Sequence, residues 1–345
     1  MKVLFSGTAG TEGWPVPGCG CASCSRLSPG NRRPAEIVLD GAVRLPHDLS
    51  GGPLPAGHRV FADPGGLLLT CPGGHRVLYA VPPHVRSLDG PAGRACDLVL
   101  VDVLDRPELL GGLRRRGLVT DGTHVVAAHL DHRVPSEAEL ARRAALWGVR
   151  AVPDGTVLDL DDPAPAPGAP PRRTLLLGGS RSGKSAEAEL RLAAEPEVRY
   201  VATGPRGDGD DEWARRVRAH RERRPARWET VESTDLAGLL RDSPVPLLVD
   251  GLGTWVAAVF DECGAWSGDH GLPAVEARFD ELVEAWRRVR RRVVAVSDEV
   301  GLGVVPATAS GRMFRDALGA LNRRLAAESE DVALVVAGRP MPLPV

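Results

Sequence analysis

Apolar and polar positions fall into blocks along this chain. In its second half, TLLLGG from Thr174, VRYVATG from Val198, PLLVDGL from Pro246, RVVAVSDEVG from Arg292 and VALVVAG from Val332 are short apolar runs separated by helical periodicity. Runs of strand length that alternate with amphipathic helices predict parallel strands joined by crossover helices. A doubly wound, mostly parallel sheet with helices on both faces is the expected fold over residues 174–345. In the first half, VLFSG from Val3, LVLVDVL from Leu98 and HVVAAHL from His124 predict buried strands. SEAELARRAALWGV predicts a helix capped by Ser136, and AVPDGTVLDL from Ala151 predicts a turn and a last strand. From about Pro29 to Gly74, Gly and Pro are abundant and the pattern predicts little.

The two halves meet at DDPAPAPGAPPRR, residues 161–173. Alternating prolines favour an extended conformation and cannot join a helix or a central strand, so this stretch reads as a linker. With 345 residues the chain exceeds the usual size of one core. Two domains are therefore expected, 1–160 and 174–345, with no internal repeat relating them.

Charge narrows the function. The 43 basic and 45 acidic residues nearly cancel, which removes the global electrostatic case for a nucleic-acid or membrane-surface protein. No apolar run reaches the roughly 20 residues of a membrane span, and MKVLFSGTAG lacks the core and cleavage site of a signal peptide. A soluble cytoplasmic protein is expected. Three of the 6 cysteines, Cys19, Cys21 and Cys24, crowd into PGCGCASC, which suggests a metal rather than disulfides. Cys71, Cys96 and Cys263 lie in or beside apolar stretches and read as buried structural thiols.

GGSRSGKS, comprising Gly178, Gly179, Ser180, Arg181, Ser182, Gly183, Lys184 and Ser185, has the form of a phosphate-binding loop. Its glycines let backbone N–H groups converge on phosphates, the following helix adds its positive end, and the lysine neutralises charge. Lys184 is expected to reach the outer phosphates and Ser185 to ligate Mg2+. Arg181 reads either as a further phosphate contact or as a solvated surface arginine. Asp250 closes PLLVD and is placed to serve the same magnesium ion; the alternative is a carboxylate capping the next turn. Asp298 and Glu299 end another strand on the expected ligand-binding edge.

The segment DDEWARRVRAHRERRPARWETVE sets Trp213, Val217 and His220 on one helical face among Arg215, Arg216, Arg218, Arg221, Arg223 and Arg224. Two readings stand. One is a core or interface histidine on an arginine-studded helix; the other is a cluster of guanidinium groups that grips several phosphates. Nucleic acid fits less well, because stacking aromatics are not interleaved.

The second half as a whole resembles the bifunctional adenosylcobinamide kinase and adenosylcobinamide-phosphate guanylyltransferase family. GGSRSGKS, YVATG, DDEWARRVRAHRERRPARW, LLVDGLGTW, VSDEVGLGVVP and GRMFRDALGALNRRLA occur in the family's order. The resemblance implies a P-loop NTPase-like fold, the nucleotides GTP and ATP with Mg2+, and two reactions. Adenosylcobinamide would be phosphorylated, and adenosylcobinamide phosphate would then receive GMP through a guanylyl-histidine. It further implies that His220 and Lys184 are catalytic. Ala202, Thr203, Gly204, Arg221, Glu222, Arg223, Arg224, Glu232 and Asp250 would contribute to nucleotide or magnesium binding, and a homo-oligomer is implied. The chain departs from the family pattern at Asp298, where Asn is common, and at Arg323, where Gln is usual.

In the first half, MKVLFSGTAGTEGWPVPGCGCASC resembles the opening of metallo-β-lactamase-fold hydrolases, and VVAAHLDHRVPSEAELARRAALWGVRAVPDGTVLDL resembles their closing strand, helix and strand. The HxHxDH signature of a two-metal centre is absent, and His47, His58, His75 and His84 are isolated. His129 and His132 alone cannot supply a catalytic metal site. A degenerate hydrolase domain is expected. One structural zinc on Cys19, Cys21 and Cys24 is expected to survive, with His129 or His132 as the fourth ligand, as in similar hydrolases; free thiols in a loop are the alternative. Two other functions stay open at this point: a nucleotide-driven switch or scaffold, and residual metal-dependent hydrolysis in the first half.

Overall fold

The computed structural model describes residues 1–50, 53–87, 89–166, 168–204, 218, 224–267 and 269–344. The chain divides into two compact units, Met1–Pro170 with Ala193–Pro196, and Pro171–Leu192 with Glu197–Val345. The boundary lies inside the proline-rich stretch. No helix among the described residues is long and apolar enough to cross a membrane.

In the first unit, β1 (Lys2–Gly7), β2 (Glu36–Leu39), β3 (Val43–Leu45) and a late strand, β9 (Thr156–Asp159), form an antiparallel sheet in the order β3-β2-β1-β9. A second sheet contains β4 (Arg59–Asp63), β5 (Gly66–Thr70), β6 (Arg76–Ala80), β7 (Leu98–Val101) and β8 (His124–Ala127) in sequential order. Its first three strands are antiparallel and its last three parallel. Val3, Phe5, Ile37 and Leu39 of the first sheet share one core with Leu69, Val77, Tyr79 and Leu100 of the second. The helix Glu137–Trp147 begins as its sequence requires: Ser136 Oγ accepts from Glu139 N, and Gly148 ends it in the left-handed region at φ 63°.

The stretch between Pro29 and Gly74, which patterning left nearly blank, thus holds β2 to β5. Each is only three to five residues long and bounded by tight turns, so no window carried enough alternation to be read.

The second unit is built on β10 (Arg173–Gly178), β11 (Arg199–Ala202), β12 (Glu229–Glu232), β13 (Leu247–Asp250), β14 (Val293–Asp298), β15 (Asp331–Val336) and β16 (Arg339–Pro342). They form one sheet in the order β12-β11-β13-β14-β10-β15-β16, parallel except for β16. Period-two alternation divides its apolar residues between two cores. Leu175, Leu247, Val249, Val293 and Ala295 pack with helices Leu252–Glu262, Leu272–Arg288 and Ala309–Ala327. Leu176, Leu248, Val294 and Val296 face Ala188 and Leu192 of helix Lys184–Leu192. Helices on both faces explain why these strands are apolar throughout. The two edge strands, β12 and β16, are largely exposed and carry no apolar run that would announce them.

Candidate nucleotide site and candidate metal centre

Parallel register brings distant residues to one sheet edge. Gly178 pairs with Asp298, Asp250 with Val296, and Ala202 with both Asp250 and Glu232. The carboxyl ends of β10, β14, β13, β11 and β12 therefore line one edge of the sheet, the edge on which open α/β sheets bind ligands.

β10 runs into the loop at Gly178, and helix Lys184–Leu192 follows. Two glycines are required there. A Cβ on Gly178 would lie 2.6 Å from Ser182 Oγ and 2.7 Å from the Val335 carbonyl oxygen. Gly183 has φ +97°, and a Cβ there would lie 3.0 Å from Gly338 Cα. Gly338 N donates to the Ser182 carbonyl at 2.7 Å, tying the loop to the turn after β15. Gly179, Ser180 and Arg181 are exposed, with Arg181 in the left-handed region at φ 57°. Ser182 Oγ is buried and has no hydrogen-bond partner among the described residues. A hydroxyl so placed fits a site that receives a polar ligand.

Lys184 is buried, and its Nζ donates to the Gly179 carbonyl at 3.0 Å and pairs with Asp298 Oδ1 at 2.8 Å. Ser185 Oγ donates to Asp250 Oδ1 at 3.1 Å, and Tyr200 OH donates to Asp250 Oδ2 at 2.6 Å. Burial, reinforced by the Asp250 charge, raises the Tyr200 pKa, so this phenol stays a donor. The Arg224 guanidinium lies over the Tyr200 ring, 3.6 Å from its centroid. Thr203 Oγ1 donates to the Gly251 carbonyl at 2.6 Å, which links the turn after β11 to the turn after β13. Ala202 and Gly204 flank it, half-buried, and Glu232 is exposed at the end of β12. His220, Arg221, Glu222 and Arg223 lie outside the described residues.

One residue here escaped sequence reasoning. Asn322 is buried; its Oδ1 accepts from Ser297 Oγ at 2.6 Å, and its Nδ2 donates to the Asp298 carbonyl at 3.1 Å. Its only sequence signal was its place in GALNRR, where an amide interrupts the apolar face of a helix.

In the first unit, Cys19, Cys21, Cys24 and His132 offer ligand atoms that all lie within 4.8 Å of one another. His132 Nδ1 is 3.3 Å from Cys19 Sγ and 3.5 Å from Cys24 Sγ. The buried Trp14 Nε1 donates to Ser23 Oγ at 3.1 Å, and Ser23 Oγ donates to the Val134 carbonyl at 2.6 Å. These two bonds hold the cysteine loop against the segment that carries His132. A hydrogen bond from the Cys24 backbone N–H lowers the Cys21 pKa to about 7, whereas burial raises Cys24 to about 11. No other group of three or more His, Cys, Asp or Glu with this proximity occurs among the described residues.

His129 is placed elsewhere. Its Nε2 contacts Tyr79 OH, and burial lowers its pKa. Beside it, Arg133 donates to Asp131 at 2.8 Å, Asp105 at 2.9 Å and Asp102 at 3.0 Å. Of the other first-half histidines, His47 contacts Asp48, His58 the Pro55 carbonyl, His75 Asp161 and His124 the Asp162 carbonyl, while His84 lies against the Tyr79 ring that His129 also contacts.

Residues 174–343 match the model of the cobinamide kinase / cobinamide phosphate guanyltransferase family. The chain is 41% identical over 179 residues to the bifunctional adenosylcobalamin biosynthesis protein CobP of Pseudomonas aeruginosa, a match that covers 50% of this chain and 96% of that protein. The chain belongs to this family. The bifunctional adenosylcobalamin biosynthesis protein CobU of Salmonella typhimurium is 36% identical over 174 residues, 48% of this chain and 95% of its own length. CobU of Escherichia coli matches at the same identity over the same length. The family match coincides with the second unit, so the loop, Lys184, Ser185, Asp250 and Asp298 all lie within it.

Proposed function

We infer that the second unit carries out the two transferase reactions for which its family is named, phosphorylating adenosylcobinamide and then converting the phosphate to adenosylcobinamide-GDP. The observation that carries this reading is the convergence of Lys184, Ser185 and Asp250 at the end of a phosphate loop within a chain of this family. In the first reaction the substrate hydroxyl oxygen attacks the terminal phosphorus of ATP or GTP as its proton passes to solvent, the bond to the bridging oxygen breaks, and the nucleoside diphosphate leaves. Lys184 neutralises charge on the outer phosphates, and the loop N–H groups hold the chain in line. Ser185 and Asp250 present hard oxygen donors of the type magnesium takes, and Mg2+ bound there would neutralise and orient the phosphates.

In the second reaction an imidazole nitrogen of His220 attacks the α-phosphorus of GTP and pyrophosphate leaves. A phosphate oxygen of adenosylcobinamide phosphate then attacks the same phosphorus and frees the histidine. A neutral imidazole is nucleophilic at physiological pH, and its phosphoramidate is reactive enough to pass the group on. Arg181, from its place inside the loop, would add a further cation to the phosphates. Arg221, Arg223 and Arg224 supply cations for the phosphates, and Ala202, Thr203, Gly204, Glu222 and Glu232 complete the nucleotide contacts. These roles rest on matching positions in the family. Assembly as a homo-oligomer is carried over on the same ground.

Incubation with GTP labelled in the α-phosphate tests the reading. An acid-labile GMP on His220 that chases onto adenosylcobinamide phosphate is expected. Persistent GMP transfer by His220→Ala rules the mechanism out, and hydrolysis without any label on the protein would favour a nucleotide-driven switch.

For the first unit, a degenerate metallo-β-lactamase-like domain fits best. Its two sheets share a core and its end motifs resemble that fold, while the metal-binding signature is missing. Arg133 brings a fixed positive charge among three carboxylates close to His129, where a hydrolytic metal would need vacant ligands. Three thiolates and one imidazole form the usual donor set of a structural zinc. Cys19, Cys21, Cys24 and His132 would hold it, and it would cross-link the loop to the segment after β8. Metal analysis that returns one zinc per chain supports this, and two metals per chain would favour residual hydrolysis.

A further inference from the structure

The ion pair between Lys184 and Asp298 has no role in the reactions as described. Lys184 is the group that must meet the outer phosphates, yet its ammonium already has a carboxylate at 2.8 Å. The lysine side chain is 8% exposed and that of Asp298 41%, so the cation is held inward while its partner is partly open to solvent.

Asp298 does not lie there by accident of rotamer. Its main chain is clamped at the end of β14, with its carbonyl accepting from the buried Asn322, which in turn accepts from Ser297. Register pairs it with Gly178, the first residue of the loop. Behind it, a Cβ on Gly253 would lie 2.7 Å from Asp298 Oδ2, so the carboxylate uses space that any other residue at 253 would deny it.

A buried ammonium needs a partner of opposite charge, and phosphates supply one when nucleotide is bound. The carboxylate then sits beside incoming phosphate charge that seeks the same ammonium. We propose that Asp298 is an internal competitor for Lys184, which neutralises the lysine in the empty site, yields it to the terminal phosphates of a nucleoside triphosphate, and thereby sets nucleotide affinity. Asp298 acts through Lys184 and is a positioning residue. The proposal rests on the reading of this loop as a nucleotide site.

The test compares equilibrium binding of GTP and of GMP, each with magnesium, to the full chain and to Asp298→Asn. The amide keeps the shape and can still accept from Lys184 through its oxygen, but it removes the charge. GTP is expected to bind about fivefold more tightly to the variant, the upper end of the range for one partly exposed charge contact. GMP, whose single phosphate does not extend to Lys184, is expected to change less than twofold, and added salt is expected to shrink the GTP difference. Asp298→Ser, which also lacks the charge, is expected to shift GTP in the same direction. Unchanged or weaker GTP binding by both variants overturns the proposal, as does equal tightening for GTP and GMP. A wild-type chain that binds no nucleotide overturns the nucleotide-site reading and the proposal with it, an outcome visible before either variant is measured.

Discussion

Ser185 and Asp250 are 65 positions apart, yet the Ser185 hydroxyl donates to Asp250 Oδ1 at 3.1 Å, joining the first turn after the loop to the end of β13. Removing either group should leave the sheet intact and disable phosphoryl transfer. Ser185→Ala and Asp250→Asn are each expected to lower kcat by about 100-fold, the scale of losing one transition-state contact. Steady-state kinetics with circular dichroism as a fold control checks this.

Gly183→Ala tests the loop backbone. Alanine at φ +97° is strained, and its Cβ would press on Gly338 at 3.0 Å. A stability loss of more than about 1 kcal/mol is expected in urea unfolding, together with weakened GTP binding.

Asn322→Ala should cost about 1–3 kcal/mol, because it strips a buried hydrogen-bond partner from both Ser297 and the Asp298 carbonyl. Urea unfolding measures the loss. A change near zero would show that the amide is not what holds the end of β14.

The first unit has a pH signature. Burial pushes Asp63 up, but Arg116, with bonds of 2.8 Å to both carboxylate oxygens, and a bond from Gly65 N bring its pKa below the ordinary aspartate range. A carboxyl depressed in the folded state adds stability that is fully present above its unfolded value, about 3.9, and is lost as pH falls through the folded one. Thermal scans should therefore show no contribution to pH dependence from this pair near neutrality and a fall below about pH 4. Asp63→Asn should reduce that slope. It should also destabilise the unit at pH 7 by about 3–5 kcal/mol, since Arg116 is left buried and unpaired by its main carboxylate.

Zinc content distinguishes the two histidines. Cys24→Ser and His132→Ala should each lower bound zinc well below one per chain, whereas His129→Ala should leave it unchanged, as read by elemental analysis. Chelation should lower the thermal midpoint of the wild-type chain and have little effect on His132→Ala.

How much was legible follows from where the information lies. The strand Arg173–Gly178, the loop after it and the helix from Lys184 are contiguous, so glycine spacing and period-two apolarity expose them directly. Asp250 and Asp298 were readable as strand ends. The pairing of Asp298 with Lys184 was not, because it depends on the strand order that places β14 beside β10. Asn322 is a lone amide in a helix, and only the packing of that helix on β14 gives it two partners.

The sequence by itself determined the second unit's strand and helix rhythm, the phosphate loop and the family, all of which are local patterns in a fixed order. Tertiary structure decided the rest. It selected His132 over His129 for the cysteine cluster, two residues that are equivalent in spacing but separated once β8 ends and the chain turns. It also gave Lys184 a carboxylate partner from 114 residues away in the chain, through the register of two parallel strands. Both outcomes depend on which segments pack together, and a linear pattern of residues does not carry that choice.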